Sequence, residues 1–177
     1  MNGKKKFTFT GIILVSGMLG AGFAQAQPPT GPMSFFITSV GSGSGGDLGG
    51  LAGADAHCQS LADAAGHGDR TWRAYLSTQG AGGENARDRI GSGPWFNARG
   101  AQVGANVDAL HSVNHRMSLM SALDERGNII PGSGYSPNRH DVLTGSQPDG
   151  TAYPAGQDMT CSNWTSSGEG AARVGHH

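Results

Sequence analysis

Between positions 71 and 77 the chain reads Thr71-Trp72-Arg73-Ala74-Tyr75-Leu76-Ser77. Apolar and polar side chains alternate here, and successive side chains of a strand point to opposite faces. Trp72, Ala74 and Leu76 would therefore share one face. This period of two is typical of a strand with one buried and one exposed face. We predict such a strand over residues 70–78 and place the other elements around it.

A helix precedes this strand. Residues 51–65 (LAGADAHCQSLADAA) carry small or apolar side chains at intervals of three or four, which indicates one buried helical face. Cys58 lies on that face, and Gly66 and Gly68 mark the end of the helix. Shorter elements are predicted from similar local patterns: strands at 33–40, 94–97 and 159–166, and helical turns at 84–90 and 106–112.

Long loops dominate the rest of the chain. The 31 glycines argue against long helices, because each interior glycine costs about 1 kcal/mol relative to alanine. Residues 114–156 contain repeated turn signals and little periodicity. Loops of this length inside a domain are usually functional. The sequence therefore predicts an α+β domain with a small sheet, two short helices and a loop-borne site.

Residues 1–26 predict a secretory signal peptide. Three lysines at 4–6 precede a short apolar stretch that ends in Ala24-Gln25-Ala26. The stretch is too short for a membrane span. Cleavage between Ala26 and Gln27 would leave 177 − 26 = 151 residues. We expect an extended leader over 27–33, one domain over 34–177, no membrane span after cleavage, and a secreted or periplasmic location.

The charge of the mature chain excludes some partners. All lysines lie within residues 1–26, so the formal charge changes from −1 to −1 − 3 = −4 after cleavage. A chain with no lysine and a negative charge has no basic patch of the kind that nucleic acids or anionic membranes attract. Neither partner is expected.

Three patches resemble the C-type lectin-like fold in its endostatin-like form. Residues 73–77 are similar to the endostatin strand R-A-F-L-S, residues 145–150 to its G-S-D-P-N-G turn, and residues 161–165 to its C-E-T-W-R strand. The chain also resembles secreted bacterial proteins of this fold, in the motifs at 71–77, 86–95 and 174–177. The resemblance covers residues 34–177 and implies a C-type lectin-like domain with a small mixed or antiparallel sheet.

The resemblance also implies an incomplete domain. Proteins of this fold continue for several tens of residues, with two further cysteines and a final strand. By that pattern, Cys58 and Cys161 each lack their disulfide partner, and the strand at 33–40 lacks its neighbour. The residues alone leave another alternative open, a single bond between Cys58 and Cys161, because a secreted chain meets an oxidising compartment.

Gln147-Pro148-Asp149 spells the triplet that galactose-preferring C-type lectins use. In those lectins the oxygens of Gln and Asp bind Ca²⁺ and sugar hydroxyls together, since hard cations prefer oxygen ligands. The resemblance therefore implies a Ca²⁺ and sugar site at Gln147 and Asp149. The alternative is an ordinary Pro-Asp-Gly turn, because the W-N-D segment that completes the lectin site is absent from this sequence.

Histidines offer a second candidate for a metal site. His111 and His115 are four residues apart, a spacing that puts two imidazoles on one helical face and suits Zn²⁺. His140 completes the predicted zinc site, with Asp141 as the neighbouring alternative. Two further histidines are candidate ligands, His176 and His177.

A binding protein is a better expectation than an enzyme. No nucleophile motif such as G-x-S-x-G is present in the sequence. Tyr135 and Tyr153 are the loop aromatics, and we predict that they contact ligand. The favoured ligand is carbohydrate or another surface polymer, bound by the loops at 114–156. The alternatives are an adhesive module that binds an envelope or extracellular protein without sugar or metal, and an uncharacterised hydrolase.

Overall fold

The computed structural model of the chain describes residues 27–177, so the predicted signal peptide at 1–26 lies outside the described residues. The fold is mixed α+β, with small antiparallel sheets and short helices. In chain order the elements are α1 (Gly50–Ala64), α2 (Ala86–Arg89), β1 (Trp95–Phe96), β2 (Gln102–Gly104), α3 (Val107–Leu110), β3 (Val142–Leu143), α4 (Cys161–Trp164) and β4 (Val174–Gly175). Within residues 27–177, no helix has the length and apolar character needed to cross a membrane.

Helix α1 confirms the helix predicted at 51–65, and its two ends differ from the prediction by one residue each. Ala54 and Ala62 are buried on its inner face, and Cys58 contacts two separate apolar clusters. The helix stops where the amide of Gly66 donates to Asp63 O and Gly66 adopts a positive φ of 83°. A positive φ costs glycine little, which explains its use at this end.

Two small antiparallel sheets lie elsewhere in the fold. β1 pairs with β2 through Trp95 and Gly104, and β3 pairs with β4. In the second sheet Val142 lies opposite Gly175. The residues that flank this pair, Asp141 and His176, are therefore brought together from distant parts of the sequence.

The predicted strands at 33–40 and 70–78 are extended but form no ladder. Alternate amides of each segment point to the same side, as they do in a strand, and each segment has hydrogen-bond partners on that side. On the opposite side no strand among residues 27–177 lies in hydrogen-bonding position. A ladder needs successive bonds to one neighbouring strand, and on the bonded side each segment meets separate carbonyls or side chains instead, so neither is a regular β-strand.

The strand predicted at 159–166 is wrong. Residues Cys161–Trp164 form the short helical turn α4, and all four have positive φ values between 47° and 66°. Side-chain acceptors stabilise this turn: the Thr160 hydroxyl accepts from the Asn163 amide, and the Asp158 carboxylate accepts from the Ser162 amide. The turn buries Trp164, whose indole Nε1 donates to Ser77 O at 2.8 Å.

The core of residues 27–177 is divided into three apolar clusters. The first contains Leu76 and Trp164, the second Met33 and Trp72, and the third Ile37 with residues of the loop region. The first two pack against α1, and the third lies with residues 117–142. Residues from all three clusters line a large groove, which is the main feature of the candidate site.

Candidate binding groove and metal-ligand cluster

The groove lies between two extended segments. Residues 34–42 form one side, which we call the N-terminal wall, and residues 70–76 form the other, the central wall. The cavity between them has a volume of about 1160 Å³, slightly above the usual range for ligand sites. Apolar side chains from all three clusters line it, including Phe35, Phe36, Ile37, Trp72, Ile130 and Leu143.

The N-terminal wall is hydrogen-bonded on its outer edge alone. Phe35 N donates to Phe96 O at 3.0 Å, and Ile37 N donates to Leu123 O at 2.9 Å. Ser39 N continues this alternation by donating to a buried carboxylate at 3.1 Å. The intervening amides point into the groove and have no hydrogen-bond partner among residues 27–177: Phe36, Thr38 and Val40.

The central wall shows the same alternation with different partners. Trp72 N donates to Gln59 Oε1 at 3.0 Å, and Ala74 N donates to Asp55 Oδ1 at 2.8 Å. Both acceptors are side chains of α1. The amides that point the other way, towards the groove, find no partner in the described part of the chain: Arg73 and Tyr75.

Side-chain hydrogen bonds hold both ends of the N-terminal segment, one from the central wall and one from helix α1. Arg70 Nη1 donates to Met33 O at 2.7 Å, and His57 Nε2 donates to Val40 O at 2.9 Å. Between these ends the rings of Phe36 and Trp72 pack edge to face with their centroids 4.8 Å apart. The two walls thus also touch through side chains, while two rows of their backbone amides have no partner among residues 27–177.

A buried ion pair supports the central wall. Arg89 Nη2 donates to both carboxylate oxygens of Asp55 at 2.8 Å, and Arg89 Nη1 contacts Glu84 at 3.1 Å. The Arg89 side chain is 5% exposed, so this bidentate contact is largely shielded from solvent. Asp55 thereby joins the helix, the central wall and α2.

Cys58 lines the groove, on α1. Burial, and then the charge of Asp55, raise the pKa of its thiol to about 11, so the thiol is protonated at neutral pH. Cys58 and Cys161 are both free in the structure, so the predicted alternative of a bond between them is not formed. The prediction that each lacks a family partner stays a prediction.

A cluster of three metal-type ligands lies at the rim of the groove. Asp141 Oδ1 is 3.3 Å from His140 Nε2 and 2.7 Å from His176 Nδ1. The two imidazole rings stack with centroids 5.0 Å apart. Candidate ligand atoms of all three residues lie within 4.8 Å of one another. Among residues 27–177, these three side chains are the candidate ligands that lie close enough together to share one ion.

The predicted His111–His115 pair is not part of that group. His111 Nδ1 donates to Val107 O at 2.7 Å, and its Nε2 accepts from the Tyr75 hydroxyl at 2.7 Å. Burial raises the pKa of Tyr75 to about 12, so the hydroxyl keeps its proton. His115 is exposed and its Nδ1 accepts from a backbone amide. Both nitrogens of His111 are thus engaged away from His140.

Gln147 and Asp149 stabilise their own turn. Gln147 Nε2 donates to Thr151 Oγ1 at 3.0 Å and to Ala152 O at 2.9 Å, and Asp149 Oδ1 accepts from the Thr151 hydroxyl and amide. The Thr151 bonds lower the pKa of Asp149 below its usual value. A side chain at Gly150 would collide with the His111 ring, which explains the glycine. The predicted Ca²⁺ and sugar site stays a prediction.

The two loop tyrosines differ in exposure. Tyr135 is 52% exposed, whereas Tyr153 is half-buried. Sequence reasoning missed the groove itself. Its signal was present in the alternating patterns at 33–40 and 71–77, but a sequence does not show that two strands lie side by side with a gap between them.

Comparison with models of known protein families gives no match, and comparison with functionally curated proteins gives none either.

Proposed function

We propose that the chain is a secreted binding module of C-type lectin-like fold that takes up an extended peptide strand in its groove. The observation that carries the proposal is the pair of unpaired backbone edges that face one another across an apolar cavity. An extended chain satisfies such edges by adding main-chain hydrogen bonds, which is how exposed sheet edges recognise peptides.

The expected free energy of binding comes from both walls. Each main-chain hydrogen bond contributes about 1 kcal/mol net, and five amides face the groove. Apolar residues of the peptide would add burial against the clusters on either side, at about 25 cal/mol per Å². Ordering the peptide opposes these gains, so we expect a dissociation constant of about 10 µM.

Charge favours an acidic peptide. Arg73 and Arg139 line the groove, are exposed, and make no ion pair among residues 27–177. On the central wall Trp72 and Ala74 face the α1 side, so Arg73 lies on the opposite face. A strand that alternates apolar and acidic side chains would match both faces at once.

The test uses an octapeptide that alternates valine and glutamate, capped at both ends, and a twin methylated on alternate backbone nitrogens. The methyl groups remove hydrogen-bond donors without changing the side chains. Calorimetry should detect binding of the first peptide and at least tenfold weaker binding of the twin. Equal affinities, or no binding of either peptide, would contradict strand addition.

Two matched controls locate the peptide. Bound peptide should protect Cys58 from alkylation but not Cys161, which does not line the groove. Arg73→Glu should weaken binding at least tenfold by reversing the charge at the groove. Arg116→Glu, an exposed arginine elsewhere, should leave the affinity unchanged. The reverse result for the two arginines would place binding outside the groove.

Carbohydrate binding by the loops at 114–156 is a second candidate. Tyr135, an exposed aromatic ring in this region, favours it because such rings stack on sugars. A glycan array with and without EDTA tests the proposal, and Tyr135→Ala should abolish the signal. A signal lost in EDTA would support Ca²⁺ at Gln147 and Asp149. No signal in either condition would remove this candidate.

A further inference from the structure

The register of the second sheet brings together side chains that are far apart in the sequence. β3 begins one residue after Asp141, and β4 ends one residue before His176. Val142 and Gly175 are cross-strand partners, so their flanking residues meet at one end of the sheet. His140 adds a third ligand-type side chain at the same place.

We propose that His140, Asp141 and His176 form a binding site for a first-row transition-metal ion, with Zn²⁺ as the probe. Two imidazole nitrogens and one carboxylate oxygen are a ligand set that such ions favour. This proposal does not rest on peptide binding, although Asp141 and His176 also line the groove. It also differs from the zinc site predicted at His111 and His115, whose nitrogens have other partners.

The distances fit an ion after a small adjustment. Ligand atoms at 2.0–2.1 Å from a tetrahedral zinc ion are separated from each other by about 3.3 Å, and side chains often shift by roughly 1 Å on binding. Here Asp141 Oδ1 is 3.3 Å from one imidazole nitrogen and 2.7 Å from the other. No candidate ligand atom is more than 4.8 Å from the rest. Exposed rotamers can close that difference without moving the backbone.

An outer hydrogen bond orients the first ligand. Asn138 Oδ1 accepts from His140 Nδ1 at 2.7 Å and also from the His140 amide at 3.2 Å. A carboxamide oxygen on Nδ1–H leaves the lone pair of Nε2 free, and Nε2 is the atom that faces Asp141. Metal-binding histidines almost always have such a partner on the second nitrogen.

His177 supplies an uncommitted base beside the cluster. Both of its ring nitrogens are shielded from solvent and have no hydrogen-bond partner in the described part of the chain. Shielded nitrogens without partners are rare in proteins, so these two are open to a ligand. His177 is not within 4.8 Å of all three ligand atoms, so its ring would have to move to take the fourth coordination position, for which it is the candidate.

The test is Zn²⁺ titration of the untagged protein at pH 7.5, in competition with a chromophoric chelator. An affinity tag rich in histidine would bind the ion itself and is therefore omitted. We expect one Zn²⁺ per chain. Asp141→Asn and His176→Gln should each weaken the affinity at least tenfold, and His177→Gln should weaken it by a smaller factor. Co²⁺ should give the visible spectrum of a tetrahedral site with nitrogen and oxygen ligands.

His115→Gln is the matched control, because His115 is an exposed histidine outside the cluster. Its affinity should equal that of the wild type. A loss in His115→Gln, with none in His176→Gln, would overturn the proposal in favour of the His111–His115 pair. Equal binding by the wild type and the Asp141→Asn, His176→Gln double variant would also overturn it. Unchanged affinity in His177→Gln would remove that residue from the ligand set.

Discussion

Both walls of the groove are extended segments, but their backbone amides donate hydrogen bonds to different kinds of acceptor. The outer edge of the central wall bonds to side chains of α1, Gln59 and Asp55. The outer edge of the N-terminal wall bonds mainly to backbone carbonyls, and then to the buried carboxylate of Glu125. The position of the central wall therefore depends on a few side chains, whereas the N-terminal wall depends on the path of the main chain.

This difference shows how a folded chain can keep a row of backbone amides without hydrogen-bond partners. Each wall bonds alternate amides on its outer side and leaves the amides between them without a partner among residues 27–177. Side-chain bonds from Arg70 of the central wall and from His57 of α1 fix the two ends of the N-terminal segment. We therefore expect the central wall to respond to changes in side chains of α1, and the N-terminal wall to respond to side chains chiefly at Ser39, where Glu125 is the acceptor.

The largest expected effect comes from Asp55→Ala. This change leaves Arg89, which is 5% exposed, without its bidentate partner and removes the acceptor for Ala74 N. Because Asp55 is 29% exposed and Glu84 still pairs with Arg89, the free energy of unfolding should fall by about 3 kcal/mol, the lower end for a broken buried pair. Urea unfolding measures it. Asp69→Ala, an exposed aspartate outside the pair, should change it by less than about 0.5 kcal/mol. A loss below about 1 kcal/mol for Asp55→Ala would show that the wall has other support.

Cys58 beneath the central wall should react slowly with alkylating reagents. Burial raises its thiol pKa from 9.0 to about 11, so its thiolate population at pH 8 is about a hundredfold smaller than that of an ordinary thiol. Because the raised value lies above pH 8, the rate should rise about tenfold for each pH unit towards 11. Iodoacetamide kinetics on a Cys161→Ser variant measure this. A rate that levels off near pH 9 would mean that the groove floor is well hydrated.

Glu125→Gln should loosen the N-terminal wall alone. The side chain of Glu125 is fully buried, accepts from Ser39 N and Ser39 Oγ, and pairs with Arg126. Loss of the charged acceptor should lower the free energy of unfolding by about 1–3 kcal/mol. Hydrogen exchange should accelerate at Ser39 and stay unchanged at Ala74. Glu169→Gln, at an exposed site, is the control. Equal acceleration at both amides would show that the walls are coupled.

The smallest effect is a contrast between neighbouring amides. In the free protein, the amides of Thr38 and Arg73 face the groove and should exchange at least about tenfold faster than those of Ile37 and Ala74. Added octapeptide should remove the contrast on both walls. Equal exchange rates along each wall without peptide would mean that the open edges are already occupied in solution.

Local sequence patterns predicted elements that depend on neighbouring residues. They did not predict features that depend on contacts between distant residues. The periodicity at 51–65 predicted α1 to within one residue at each end, because a helix is determined by its own side chains. The turn α4 was predicted as a strand, since the apolar pattern carries no information on a left-handed backbone that Asp158 and Thr160 stabilise.

The candidate sites show the same limit. His140, Asp141 and His176 were recognised as metal-type residues from the sequence, but were grouped with His111 and His115 by spacing. The pairing of β3 with β4 crosses more than thirty residues and brings His176 to Asp141 instead. The triplet at 147–149 has the sequence of a lectin motif. In the structure, however, the side-chain amide of Gln147 and the carboxylate of Asp149 bond to residues of their own turn.

The position of His176 and His177 on the groove lining has a consequence for local concentration. A peptide joined to His177 would begin its path at the groove rim, so its binding would be intramolecular. Short flexible connections give effective concentrations of about 1 mM. A strand with a dissociation constant of about 10 µM as a free peptide would then occupy the groove about 99% of the time. Such a joined strand would exclude free peptides without contacting any residue more tightly than they do.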